Sequence, residues 1–167
     1  MKIEKMPKDI LNLVNKFGLN LPQMCYMNCF MLVMQTLAKD EFDINYVLVN
    51  IEDTDGEIYP HAVISSKGSF YDPTLEPQGL VESTKYALVK EFSTKEIVDL
   101  MNAKFDIDQI KNMIAGKEPF WPLRQVGENQ FEFRDDGSPT IYIASKSKSE
   151  GTRTDGFFCT LKKLIGL

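Results

Sequence analysis

Two runs of apolar residues at helical spacing open the chain. In the first, from Lys8 to Phe17, apolar side chains recur every three or four positions and predict an amphipathic helix that stops at Gly18. The second predicts a helix from near Asn28 to near Lys39, with the Asn28 side chain as its N-terminal cap. This boundary places Cys29 in the first helical turn and Cys25 just ahead of the helix.

The spacing of apolar residues then switches to alternation, which is typical of strands. Three alternating segments separated by two turns predict an antiparallel meander with strands at Tyr46–Ile51, Ile58–Ser65 and Ser69–Asp72. If the second turn is centred on Lys67 and Gly68, Val63 lies opposite Asp72. His61 and Asp72 are then expected on the same face of the sheet, one diagonal step apart.

The rest of the chain is predicted to continue this mixture of helices and strands. The segment from Thr84 to Gly116 is expected to be mostly helical, with a capping box formed by Ser93 and Glu96. A loop is predicted for Pro119–Gln125, and short strands are predicted for Gln130–Phe133, Thr140–Ala144 and Phe157–Leu161. With 167 residues and no repeat or linker, residues 1–167 are expected to form a single α+β domain.

Composition and charge limit the classes of function. A hydrophobic content of 43% and a charged content of 26% are typical of a soluble globular chain. The net charge of −5 argues against nucleic acid as the main partner. No apolar run approaches the roughly 18 residues of a membrane-spanning helix, and the N-terminus lacks the apolar core of a secretory signal. We therefore expect a cytoplasmic protein that uses neither a membrane nor a nucleic acid as partner.

The three cysteines do not indicate a disulfide framework or a metal site. Cys25, Cys29 and Cys159 are odd in number, and with His61 they offer four donors for zinc. The spacing of four between the first two cysteines is poor for a zinc knuckle, where a gap of about two residues is usual. No glycine-rich phosphate loop is present. We expect no metal and no cofactor, and we expect Cys159 to belong to the core.

A thiol, an imidazole and a carboxylate occur in an order that suits acyl transfer. A helix N-terminus favours the reactive thiolate, and Cys29 is predicted to lie at one. His61 is the only histidine and can carry a proton both ways near neutral pH. Asp72 on the same face can hold one ring nitrogen and leave the other to face the thiol. Gln23, six residues before Cys29, can donate to the oxyanion that forms on an attacked carbonyl.

Each of these residues also has a structural explanation. Cys29 is compatible with a small buried apolar residue, His61 with a core or surface histidine, and Asp72 with a turn residue ahead of a proline. Cys25 is the alternative nucleophile, one helical turn earlier. It is less favoured because it precedes the predicted helix and has no Gln at the matching distance.

Three short segments resemble known enzymes. The segment Gln23–Cys29, with the aromatic Phe30 next, resembles the active-site segment of papain-like cysteine peptidases. The segments His61–Ile64 and Tyr71–Thr74 resemble those of two relatives of that fold, the bacteriocin-processing peptidases and the transglutaminase-like proteins. The resemblance covers residues 23–74 of the chain.

The resemblance implies a papain-like core in which a helix carrying Cys29 packs on an antiparallel sheet carrying His61 and Asp72. It implies Cys29 as nucleophile, His61 as acid and base, Asp72 as the group that orients the imidazole, and Gln23 as oxyanion donor. The implied reaction is cleavage of a peptide or isopeptide amide in a protein or peptide substrate through a thioester. Two alternatives stay open: a transglutaminase-like acyltransferase, and a binding or inhibitory protein that keeps the fold without turnover.

Overall fold

The computed structural model describes residues 1–37, 42–114 and 117–134 of the chain. Its helices are α1 (Lys8–Phe17), α2 (Cys25–Thr36), α3 (Thr94–Lys104) and α4 (Ile107–Ile114), and its strands are β1 (Ile44–Glu52), β2 (Ile58–Ser66), β3 (Ser69–Tyr71), β4 (Lys85–Phe92), β5 (Leu123–Gly127) and β6 (Gln130–Phe133). Helix α1 is confirmed, and Gly18 ends it in the left-handed conformation. The strands predicted for 140–144 and 157–161, together with Cys159, lie outside the described residues.

Helix α2 forms the centre of the core. All of its residues except Cys25 and Gln35 are buried, as is typical of a helix that is apolar on every side. The ring of Phe30 packs edge-on against Tyr46 of β1 and against Phe133 of β6, with 6.0 Å between ring centroids in both cases. The helix therefore lies between the larger sheet and the β5–β6 hairpin.

The larger sheet confirms the predicted meander. Within the described residues it is antiparallel, with the strand order β3-β2-β1-β4. Ile64 pairs with Tyr71, which is the register expected for a turn centred on Lys67 and Gly68. Both turn residues have positive φ angles, 51° and 82°, as a two-residue type I′ turn requires. Because the pairing of β3 with β2 is limited to residues 64–66 of β2, no described strand covers the flank of β2 at Ala62.

The two faces of this sheet carry different clusters. The face toward α2 belongs to the main core and includes Tyr46, Leu48, Ala62, Ile64 and Phe92. The opposite face carries a smaller cluster made of Val47, Val49, Val63 and Tyr86. Because side chains alternate along a strand, His61 projects to the same face as Val63. It also pairs with Val49 of β1. The imidazole therefore lies beside the smaller cluster.

The start of α2 corrects the sequence prediction. The helix begins at Cys25 and not near Asn28, and its predicted end near Lys39 lies outside the described residues. An N-cap side chain accepts hydrogen bonds from backbone N–H groups. Asn28 instead donates from Nδ2 to the Leu21 carbonyl and to the Thr74 hydroxyl. Cys25 therefore occupies the first helical position.

The prediction of a mostly helical segment from Thr84 to Gly116 is wrong for its first part. Residues Lys85–Phe92 form strand β4, which pairs antiparallel with β1. The helical spacing after this strand corresponds to α3 and α4, and the capping box of Ser93 and Glu96 is confirmed. Strand β5 likewise begins at Leu123, inside the predicted loop.

The fold class is confirmed at the level of α+β, because helices pack on an antiparallel sheet. Among the described residues, no helix combines the length and the apolar character needed to cross a membrane.

Candidate active site

The N-terminal turns of α2 lie against the flank of β2 that β3 leaves open. The thiol of Cys29 donates to the carbonyl oxygen of Ala62 over 3.3 Å. The side-chain amide of Asn28 donates to the Thr74 hydroxyl over 3.0 Å. These bonds join the helix to β2 and to the loop that follows β3. Since that loop starts at Asp72, the helix, the second strand and this carboxylate converge.

His61 and Asp72 form a buried pair at this point. Nε2 of His61 lies 2.8 Å from Oδ2 of Asp72, and the two residues are only 5% and 0% exposed. The contact confirms the prediction that both side chains share one face of the hairpin. A carboxylate at Nε2 sets the orientation of the ring and leaves Nδ1 for another partner.

Four donors within the described residues surround the Asp72 carboxylate. Oδ1 accepts the backbone N–H groups of Thr74 and Leu75, each at 2.9 Å. Oδ2 accepts the Tyr86 hydroxyl, also at 2.9 Å, in addition to the ring of His61. A carboxylate removed from water needs such donors to stay ionised. Burial, and then the charge of Asp72, raises the pKa of Tyr86, so its hydroxyl keeps the proton that it donates.

Cys25 is the thiol that helps to raise the pKa of His61. It is the first residue of α2, and it is partly exposed. Burial lowers the pKa of His61, but the hydrogen bonds to Asp72 and Cys25 and the charges of both groups outweigh burial and raise it to about 10. The ring is therefore an imidazolium at neutral pH, held between a carboxylate and a thiol.

Cys29, the nucleophile favoured by the sequence, lies one turn deeper in the helix and is 0% exposed. Burial, followed by the charges of Asp72 and Cys25, raises the pKa of the Cys29 thiol well above its ordinary value. A thiol that is inaccessible and held in the protonated form is a poor nucleophile. The geometry therefore favours Cys25 as the candidate nucleophile, and the preference for Cys29 followed from the misplaced helix start.

Gln23 does not have the surroundings expected of an oxyanion donor. It lies two residues before Cys25, its side chain is exposed, and its backbone has a φ of 61°, which residues other than glycine seldom adopt. The position six residues before Cys25 is Leu19, a buried apolar residue without a side-chain donor. The role of Gln23 in an oxyanion site stays a prediction.

Arg124 and Tyr86 belong to the surroundings of the site and were missed by the sequence analysis. The guanidinium of Arg124 stacks 3.8 Å from the centroid of the Tyr26 ring, beside Cys25 in the chain, and its charge interacts with that of Cys25. Strand β5 is held there because the Tyr46 hydroxyl donates to the Leu123 carbonyl over 2.7 Å. Neither β4 nor β5 shows a regular alternation of apolar and polar residues, so the sequence offered no clear signal for these two strands.

The assembled site contains a thiol, an imidazole and a carboxylate, and it can form a covalent bond to a carbonyl carbon while moving a proton. Over residues 1–37, 42–114 and 117–134, no group of three or more His, Cys, Asp or Glu side chains is arranged to hold a metal ion. Comparisons of the chain with models of protein families, with curated proteins and with solved structures find no match.

Proposed function

We propose that this chain is a thiol-dependent hydrolase of papain-like architecture that cleaves a peptide or isopeptide amide. Cys25 is the nucleophile, His61 is the acid and base, and Asp72 orients the imidazole. The observation that carries the proposal is the imidazole of His61, which a buried carboxylate holds at 2.8 Å and whose pKa the partly exposed Cys25 helps to raise. A thiol beside an imidazolium and at a helix N-terminus is stabilised as the reactive thiolate.

Acylation begins when the Cys25 thiolate attacks the carbonyl carbon of the scissile amide and a tetrahedral oxyanion forms. The N-cap residue Met24 makes no side-chain cap bond, and we assign the backbone N–H groups of the first turn of α2 as the donors to this oxyanion. The carbon–nitrogen bond then breaks, and His61 gives its proton to the leaving amine. The acyl group stays on Cys25 as a thioester.

Deacylation returns the site to its starting state. Neutral His61 takes a proton from a water molecule as the water attacks the thioester carbon. The acid product leaves, and the thiolate and imidazolium form again. Asp72 keeps Nε2 of His61 occupied, which leaves Nδ1 as the ring nitrogen that exchanges protons during the reaction. Because Cys25 is partly exposed whereas His61 and Asp72 are buried, substrate approaches from the side of the thiol.

Alkylation by iodoacetamide tests the proposal without a known substrate. At pH 6 an ordinary thiol with a pKa of about 8.5 is almost wholly protonated, whereas a thiolate–imidazolium pair is reactive. We expect Cys25 to be alkylated at least about tenfold faster than a free cysteine, and peptide mapping by mass spectrometry identifies the labelled residue. The expected fast reaction disappears in Cys25→Ser and in His61→Gln.

Cys29→Ala is the matched control, because it removes a thiol one turn away that is buried and bonded to Ala62. This variant should label at the wild-type rate. Circular dichroism shows whether each variant remains folded. If Cys25 and Cys29 react equally slowly in the wild type, and His61→Gln changes neither rate, the proposal that this chain is a thiol-dependent enzyme is refuted. A non-catalytic binding protein is then favoured.

The acceptor of the acyl group is tested with an activated ester and a competing amine. A p-nitrophenyl ester should acylate Cys25, and the adduct is detected by intact-protein mass spectrometry. Release of the free acid in the presence of a primary amine supports hydrolysis. Accumulation of the amide product instead points to a transglutaminase-like acyltransferase, which uses the same thioester.

A further inference from the structure

We infer that Tyr86 is a positioning residue of this site, whose hydroxyl fixes the Asp72 carboxylate and, through it, the ring of His61. The inference rests on the proposed function. It adds a residue from strand β4, which lies outside the segment between Cys25 and Asp72 that carries the other groups.

Tyr86 reaches Asp72 across the sheet. Strand β4 pairs with β1, where Tyr86 lies opposite Ile51, and β2 with His61 lies on the other side of β1. The Tyr86 hydroxyl nevertheless donates to Oδ2 of Asp72 over 2.9 Å. The rings of Tyr86 and His61 are 6.4 Å apart between centroids, and both residues bond the same oxygen atom. Two strands that are not neighbours therefore converge on one carboxylate oxygen.

The position of the carboxylate depends on donors from three directions. The N–H groups of Thr74 and Leu75 hold Oδ1, and His61 and Tyr86 hold Oδ2. Tyr86 also belongs to the apolar cluster that includes Val47, Val49 and Val63. Without the Tyr86 hydroxyl, Oδ2 therefore loses one of its two hydrogen-bond donors beside this apolar cluster. A buried carboxylate that loses a donor is less stable in its charged form and less fixed in orientation.

The titratable groups around Asp72 come from three elements. Among the described residues they are His61 from β2, Tyr86 from β4 and Cys29 from α2, and Cys25 of α2 contributes to the pKa of His61. Of these four groups, Tyr86 is the one that bonds the carboxylate without acting as proton carrier or nucleophile in the proposed reaction. Removing its hydroxyl therefore changes the carboxylate and leaves the reacting groups in place.

The variant Tyr86→Phe tests the inference through the pH profile of Cys25 alkylation between pH 4 and 9. Loss of the hydroxyl leaves Oδ2 of Asp72 with one donor fewer and the imidazole beside it less firmly oriented, so we expect the acid limb of Cys25 alkylation to move to higher pH by about one unit. On the steep part of that limb the rate should fall about tenfold. A residue that only supports the fold changes stability and leaves the position of the limb unaltered.

Thr36→Val is the matched control, because it also removes a buried hydroxyl, one that donates to the Leu32 and Val33 carbonyls at the C-terminal end of α2. Its acid limb should coincide with that of the wild type. If Tyr86→Phe has the same limb as Thr36→Val, the positioning role is overturned, while the dependence of wild-type labelling on His61 still supports the proposed function. If wild-type labelling is indifferent to His61→Gln, the proposed function fails on its own account.

A second substitution covers the case in which Tyr86→Phe does not fold. Replacing Tyr86 with 3-fluorotyrosine keeps the ring and makes the hydroxyl a stronger donor. The acid limb should then move to lower pH. An unchanged limb with this residue also contradicts the positioning role.

Discussion

Replacing Asp72 with asparagine removes one negative charge with little change of shape. The amide oxygen of the variant can still accept the N–H groups of Thr74 and Leu75, as Oδ1 does in the wild type. Its amide nitrogen, however, takes the place of Oδ2, which accepts from His61 and Tyr86. Both of those groups are donors, so two hydrogen bonds are lost and the imidazolium loses its counter-charge. Asp72→Asn therefore measures how much the negative charge at Oδ2 contributes to stability.

The size of the effect follows from the pKa of His61. The pKa of His61 is about 10 in the folded chain, against about 6.5 in the unfolded chain. This difference contributes at most about 5 kcal/mol to the free energy of unfolding. Burial opposes this gain, and Cys25 contributes part of it. Removing one member of a buried charged pair costs about 3–5 kcal/mol. We expect Asp72→Asn to lower the free energy of unfolding by about 3 kcal/mol near pH 6.

The dependence on pH has a definite sign. Because the pKa of His61 is raised on folding, its stabilising contribution is complete below about pH 6.5 and is lost as the pH rises toward about 10. The difference in free energy of unfolding between wild type and Asp72→Asn should therefore be largest near pH 6 and should shrink toward pH 10. Urea denaturation followed by circular dichroism at pH 6, 8 and 10 measures it.

Asp53→Asn is the control for this experiment. Oδ1 of Asp53 also accepts two backbone N–H groups, those of Asp55 and Glu57, but it does so in an exposed turn without a histidine. We expect this variant to lie within about 0.5 kcal/mol of the wild type at every pH. If Asp72→Asn costs less than about 1 kcal/mol at pH 6, or if its cost does not change with pH, the pairing of this carboxylate with an imidazolium is refuted.

Three further variants test other parts of the structure. Asn28→Ala removes the amide that donates to the Thr74 hydroxyl and one of two described donors to the Leu21 carbonyl, so denaturation should show a loss of about 2–3 kcal/mol, and an unchanged stability contradicts this link. Gln23→Gly relieves a backbone φ of 61° and should leave the ester turnover of Cys25 unchanged, whereas a drop of about tenfold or more assigns the Gln23 amide to the oxyanion site. Ser93→Ala removes the capping box of α3 and should cost about 1 kcal/mol in thermal or urea denaturation, unless the cap is absent in solution.

The hairpin that carries His61 and Asp72 was predictable because its register is local. Lys67 and Gly68 form a two-residue turn, and alternation along the flanking strands leaves one pairing that keeps the apolar side chains together. Once Ile64 lies opposite Tyr71, the carboxylate falls within reach of the imidazole. The pair at 2.8 Å follows from residues that are close in sequence.

The contributions of Tyr86 and Arg124 were not predictable in this way, because their strands are positioned by contacts with distant residues. Strand β4 exists through its pairing with β1, and its exposed Leu88 breaks the alternation of apolar and polar residues that indicates a half-buried strand. Strand β5 is held by the bond from the Tyr46 hydroxyl to Leu123. Spacing within either segment carries no information about these partners.

The choice between the two thiols depended on where one helix begins, and that boundary is itself set by the site. Asn28 is a favoured capping residue by type, but here its amide donates to Leu21 and Thr74, two residues that only the folded chain brings together. With its side chain used in this way, Asn28 lies inside the helix, and the N-cap moves from Asn28 to Met24, which makes Cys25 the first helical residue. The bond between Asn28 and Thr74 also joins this turn to the loop that carries Asp72. The same bond that moves the start of the helix away from Asn28 thus ties the first turns of α2 to the loop that carries Asp72.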